Sequence, residues 1–210
     1  MQQSNTYILD TNLFFNMEAG LDMGQKAEDV IRAMTKAIQS RKQEGYLFYM
    51  PPRIVEEFFS FFDEVEQTFL QQFIAEISTK SPDYQDMQIG AASFYKLVND
   101  IRMRSYRGMD IGEEEMRKAG QMFMGKEHMD KKGFEMAIGP VIKKFRERYR
   151  NATRTGFLDS LADLDILILA KELDGIVVSA DEGVMKWARI FGVREIAVPA
   201  FGQLLRSSSE

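Results

Sequence analysis

Residues 156–181 read GFLDSLADLDILILAKELDGIVVSAD, and this stretch decides the fold. The pattern predicts a helix over 157–173, closed by Asp174-Gly175. A buried-type strand, Ile176-Val177-Val178-Ser179-Ala180, follows and ends at Asp181. Beyond it a helix is expected over 182–190, a strand over 195–198 and a short helix over 201–205. The same alternation opens the chain. Tyr7-Ile8-Leu9 is a short strand ending in Asp10, and Val30, Ile31, Met34, Ala37 and Ile38 mark a helix over 25–43. Tyr46 to Met50 is a strand, and Pro51-Pro52 suits a helix first turn. Apolar positions from Ile54 to Phe73 then predict one long helix running toward Ile77, with a break over 78–82. Strands alternating with helices imply a mostly parallel α/β sheet with helices on both faces. Neither G-x-G-x-x-G nor G-x-x-x-x-G-K-[ST] is present, so the nucleotide-binding versions of that architecture lack support.

Between the two α/β portions, residues 83–154 change character. No strand pattern appears, Met and basic residues are frequent, and three helices are expected over about 85–107, 112–124 and 130–150. The domain reading is therefore an α/β body from 1–82 and 155–210 with an all-helical insertion at 83–154. The eight methionines of the insertion suit a flexible core or an interface.

Composition removes whole classes of chemistry. The 210 residues contain no Cys and a single His, His128, so disulfides, thiolate zinc sites, a Cys nucleophile and His-pair nucleases are excluded. Hydrolysis here must lean on the 32 carboxylates. The longest uncharged apolar run, Ile166 to Ala170, falls far short of the ~20 residues of a membrane span. Met1 to Thr6 has no signal-peptide character, so a cytoplasmic protein is expected. The net charge of −5 is uneven: residues 96–154 carry 15 basic and 9 acidic side chains, while the flanking portions are acidic. A basic segment within an acidic body suggests a phosphate-binding arm on a metal-binding body.

Topology gathers the acids. Ligands of open α/β sheets bind beyond the carboxyl ends of the strands. Asp10 and Asp181 each directly follow a strand. The helix leading into strand 176–180 begins at that same edge, with Asp159 and Asp163 spaced i, i+4 on one face. The helix after Pro51-Pro52 also starts there, with Glu56 and Glu57 in its first turns. Asp165 lies about 200° round the helix from Asp163 and should face away. Asn12 and Ser179 flank the rim as supporting hydrogen-bond partners. Two carboxylates ~4 Å apart repel by roughly 4 kcal/mol at an effective dielectric near 20. Hard divalent cations relieve that cost, and all-oxygen ligation points to Mg²⁺ or Mn²⁺.

These residues resemble the PIN-domain nucleases. Tyr7 to Asn12 looks like that family's opening strand with its Asp-Thr-Asn signature. Pro51 to Glu57 looks like its second motif, in a register favouring Glu57, and Asp163 and Asp181 have the separation of its third and fourth acids. Phe157 to Asp165, Ser179 to Gly183 and Trp187-Ala188 more closely resemble the homologs of Aquifex RNase P, also called RNA ligase partner proteins. That resemblance covers nearly the whole chain, including the insertion. It implies protein-only ribonuclease P activity: metal-activated hydrolysis of the 5′ leader from precursor tRNA, leaving 5′-phosphate and 3′-hydroxyl ends. It implies catalytic and metal-binding roles for Asp10, Asp159, Asp163 and Asp181, with Glu57 added by the general PIN pattern. It also implies a homo-oligomer assembled through the insertion, with no membrane and no protein cofactor. Lys143, Lys144, Arg146, Arg148, Arg150 and Arg154, opposed only by Glu147, are the expected RNA contacts. The competing readings are a PIN ribonuclease acting on other RNA and a non-catalytic RNA-binding partner of an RNA ligase.

Overall fold

The computed structural model describes residues 5–85, 87–125, 128–154, 158 and 160–207. Among them lie five strands, β1 (Thr6–Leu9), β2 (Leu47–Met50), β3 (Ser78–Thr79), β4 (Ile176–Val178) and β5 (Arg194–Ile196). All pairings are parallel and the order is β3-β2-β1-β4-β5. The helices of this sheet portion are α1 (Asn12–Phe15), α2 (Ala27–Gln43), α3 (Pro52–Ser60) and α4 (Thr68–Glu76), then α7 (Leu161–Glu172), α8 (Glu182–Phe191) and α9 (Val198–Arg206). The insertion holds α5 (Ala91–Phe123) and α6 (Lys131–Arg154). No described helix is long and apolar enough to cross a membrane.

The central strands are apolar on both faces because helices cover both. Ile8 and Leu9 of β1 and Val177 and Val178 of β4 are fully buried. Phe14 meets Phe58 of α3 and Phe73 of α4 edge-on, at 5.2 and 5.0 Å between centroids. Burying side chains of this size is worth roughly 1.5–3 kcal/mol each. The β1–β4 register, Tyr7↔Ile176 through Leu9↔Val178, brings the ends of both strands to one edge. There the amide of Asp10 donates to the carbonyl of Val178 at 3.1 Å.

Four expectations are corrected. The apolar run after Pro52 is two helices, α3 and α4, because the acid-rich segment around Asp63, Glu64 and Glu66 interrupts it. The expected break after Ile77 contains β3, whose Ser78 and Thr79 pair with Tyr49 and Met50 at the sheet edge. The two helices expected over 85–107 and 112–124 are one helix of 33 residues. Gly108 and Gly112 do not end it: a Cβ at Gly108 would stand 2.5 Å from Tyr149 Cε2, so that glycine admits the tyrosine ring. Helix α7 also begins later than expected, at Leu161, because the Ser160 hydroxyl caps it by accepting from the Asp163 amide at 3.0 Å.

The chain divides into two compact units, Met1–Ile89 with Leu158–Glu210, and Gly90–Phe157. Residues 83–89 group with the body. Asp83 donates its amide to Glu172 at 2.9 Å, and the Tyr84 hydroxyl donates to Asp165 at 2.9 Å.

Candidate active site

The rim is built by strand ends and helix starts. Asp10 stands one residue past β1 and is only 2% exposed. Its Oδ1 accepts from the Thr11 hydroxyl at 3.3 Å, and its Oδ2 accepts from Asn12 Nδ2 at 3.1 Å and from the Ser179 hydroxyl. Thr11 lies within reach of both Asp10 and Glu57 Oε1, the latter at 3.2 Å, and so ties β1 to α3. Glu57 is half-buried and Glu56 is exposed, so the register selects Glu57. Asp181 caps α8: its Oδ1 accepts from the amides of Gly183 and Val184 at 2.6 and 3.0 Å. Its own amide donates to Ser179 Oγ at 2.9 Å, so Ser179 links Asp10 to Asp181. Asp163 sits in the first turn of α7. Asp159 lies outside the described residues.

The electrostatics follow from this packing. Burial pushes the Asp10 carboxyl above the ordinary carboxylate range, against the hydrogen bonds from Ser179 and Asn12, and the charge of Asp181 pushes the same way. Burial also raises Glu57, opposed by the Thr11 hydrogen bond and reinforced by the charge of Asp10. Carboxyls raised by burial and by one another favour proton or cation uptake. Among the described residues no three acids stand close enough to form a ready-made cation cage. The donor chemistry nevertheless suits a hard divalent cation. Every donor is a carboxylate oxygen, and at Asp181 Oδ2 takes no part in the cap.

Sequence reasoning gave two residues here no role. Thr11 bridges the two raised carboxyls, and only its place in the Asp-Thr-Asn run signals it. Asp165, set aside as facing away, is 2% exposed and bonded to Arg53 of α3 at 2.7 Å and to Tyr84 at 2.9 Å. In the helical unit Arg148, expected as an RNA contact, pairs with Glu115 at 2.5 Å and Glu114 at 2.7 Å, and Glu115 is 4% exposed. Arg148 is thus a staple between α5 and α6, whereas Lys143, Lys144, Arg146 and Arg150 are exposed.

A sequence model described as PINc domain ribonuclease matches residues 6–209. The chain belongs to this PIN-domain ribonuclease family. Curated relatives named RNA-free ribonuclease P share about a third of their residues with it across nearly its full length. The protein of Pyrococcus abyssi is 33% identical over 205 residues, 97% of this chain and 93% of the relative. That of Methanothermobacter thermautotrophicus is 34% identical over 216 residues, 98% and 97%. A bacterial relative, from Nitrosococcus oceani, is 34% identical over 190 residues, 90% and 88%. PIN-domain nucleases generally use divalent metals, in keeping with the oxygen donors at this rim.

Proposed function

We propose that this PIN-domain protein is a protein-only ribonuclease P that hydrolyses the phosphodiester joining the 5′ leader to precursor tRNA. The observation that carries the reading is the near full-length likeness to RNA-free ribonuclease P relatives, insertion included. In this reaction a water oxygen bonds to phosphorus and the bond to the leader's 3′ oxygen breaks. The leader departs with a 3′-hydroxyl and the tRNA keeps a 5′-phosphate.

Asp10, Asp163, Asp181 and Asp159 are the proposed catalytic acids and, with Glu57, the residues that hold Mg²⁺ or Mn²⁺. A bound divalent cation supplies charge neutralisation at the phosphate and acidifies water. The chain's own part is orientation. Asn12 and Ser179 fix the Asp10 carboxyl, and the Thr11 hydroxyl stands between it and Glu57. Two helix amides hold Asp181 Oδ1. Burial keeps Asp10 and Glu57 poorly solvated as anions, which favours exchange of their repulsion for a cation.

The insertion supplies affinity and assembly in this reading. Lys143, Arg146 and Arg150 recur at i, i+3 and i+7, one stripe of α6, with Lys144 beside it, and the side chain of Arg154, the sixth expected contact, lies outside the described ones. They hold backbone phosphates without reading sequence. An apolar groove of about 190 Å³ between α5 and α6, lined by Met116, Ala119, Ile138, Val141, Ile142 and Phe145, is the proposed self-association surface. Incubation with precursor tRNA and Mg²⁺, with the cut mapped, tests the function. A single cut at the mature 5′ end is expected, and an intact substrate or cuts elsewhere would overturn it.

A further inference from the structure

We infer that Arg53 is a pre-oriented phosphate clamp on the RNA strand at the acidic rim. The inference rests on the reading that the substrate is RNA. Between Lys42 and Lys80 it is the only basic residue in the chain. It stands in the first turn of α3, four residues before Glu57, where side chains lie ≈ 5–6 Å apart at Cβ. Arg53 is therefore a neighbour of the carboxyl that Thr11 joins to Asp10.

Its hydrogen bonds are unevenly spent. Nη1 donates to Asp165 Oδ2 at 2.7 Å and to the Tyr84 hydroxyl at 3.2 Å. The Tyr84 hydroxyl in turn donates to Asp165 Oδ1 at 2.9 Å, which closes a three-membered ring. Among the described residues, Nε and Nη2 have no partner, and the side chain is 47% exposed. The edge left open is the Nε–Nη2 fork, whose two parallel donors match two oxygens of one phosphate.

Asp165 explains why the fork is fixed. A carboxylate this deeply buried is costly unless paired, so the Arg53 link is held and the guanidinium does not wander as a surface arginine does. A donor already in place loses little entropy when a phosphate arrives. The rim otherwise presents acids to a polyanion. One anchored arginine beside Glu57 gives the strand a cationic contact next to the carboxylates.

The test compares wild type, Asp165→Asn and the double variant Arg53→Ala with Asp165→Asn, which leaves no stranded buried charge. Precursor-tRNA affinity is measured over a salt series in EDTA, with thermal melting to verify the fold. The clamp predicts that Asp165→Asn binds between wild type and the double variant, because Asn still accepts from Arg53 but no longer holds it by charge. It predicts that the double variant binds about tenfold more weakly, the worth of a charged hydrogen bond. Its logarithmic salt slope should fall by roughly 0.7–0.9. A folded double variant with wild-type affinity and slope overturns the inference, because a purely structural ion pair would be silent in both. If the double variant does not fold, Arg53→Lys decides: it keeps a single link to Asp165 but lacks the fork. Affinity several-fold below wild type supports the clamp, and wild-type affinity overturns it. Cleavage mapping by wild type is read separately, so a missing cut at the mature 5′ end refutes the ribonuclease P reading, while the binding comparison decides Arg53.

Discussion

The α/β body and the helical insertion solve burial in opposite ways. In the body, Ile8, Leu9, Phe14, Phe58, Phe73, Val178, Trp187 and Phe201 are essentially solvent-free, and both faces of the sheet are covered. In the insertion, α5 runs for 33 residues and buries only Ser93, Gly108 and Glu115. Phe94, Tyr95, Met116, Met124 and Met136 are all well exposed there. The body thus contains the reason for its own fold, while the insertion presents apolar surface at a scale that usually marks association. In the proposed reading chemistry falls to the self-sufficient part, and binding and assembly fall to the part left open.

The largest expected effect removes chemistry and leaves the fold. Asp10→Asn, Asp163→Asn or Asp181→Asn should each slow cleavage by about a thousandfold, the several kcal/mol that a cation site contributes at a reacting phosphate. Circular dichroism and thermal melts should stay close to wild type. Wild-type rates in any two of these variants would break the assignment of chemistry to the sheet edge.

Next in size is assembly. Charging the insertion groove with Met116→Lys and Ile142→Lys should shift light scattering from a multiple of the chain mass toward 24.2 kDa. A wild-type protein that is already a concentration-independent 24.2 kDa species would erase the contrast between the two regions.

A smaller effect separates the arginines of α6. Changing Lys143, Arg146 and Arg150 to Ala should weaken precursor-tRNA binding and lower the logarithmic salt slope by something under one per lost contact. Single-turnover cleavage at saturating enzyme should change far less. Arg148→Ala should instead lower thermal stability, because it leaves the buried Glu115 with Lys118 as its remaining partner and unties α5 from α6, and it should leave the salt slope nearly intact. The reverse pattern would move the RNA path to the other face of the helix.

The smallest effect tests the electrostatics of the rim. A carboxyl whose folded pKa is raised binds more protons folded than unfolded, so its contribution falls as pH rises above the ordinary carboxylate value. Glu57→Gln removes one such group and keeps an acceptor for Thr11. In EDTA at pH 7 its melting temperature should rise by about 1–3 °C, and the gain should vanish below the ordinary glutamate value, where wild type is also neutral. With millimolar Mg²⁺ the order should reverse, since wild type alone keeps the full donor set. A variant less stable than wild type in EDTA would contradict the repulsive rim.

The two regions also differed in legibility. The order of strands and helices in the body was readable, because apolar runs such as Ile176 to Val178 meet clear stops such as Asp174-Gly175. The placement of Asp10 and Asp181 beyond two strands was readable from the same pattern. What the pattern hides is anything set by a distant partner. β3 is two polar residues whose strand character comes from pairing with Tyr49 and Met50. Gly108 reads as a stop but is a seat for Tyr149. Asp165 reads as an acid turned away from Asp163 and without a role until Arg53 and Tyr84 are placed beside it.

In the proposed function this chain alone, through its sheet-edge acids, cuts precursor tRNA at the mature 5′ end. The most direct measurement uses recombinant protein freed of nucleic acid and the Asp10→Asn variant, each given precursor tRNA with Mg²⁺. Predicted is one cut by wild type, leaving a 5′-phosphate on the tRNA, and none by the variant over the same time. Cleavage that survives in Asp10→Asn, or that disappears when co-purified RNA is removed from wild type, would contradict the account.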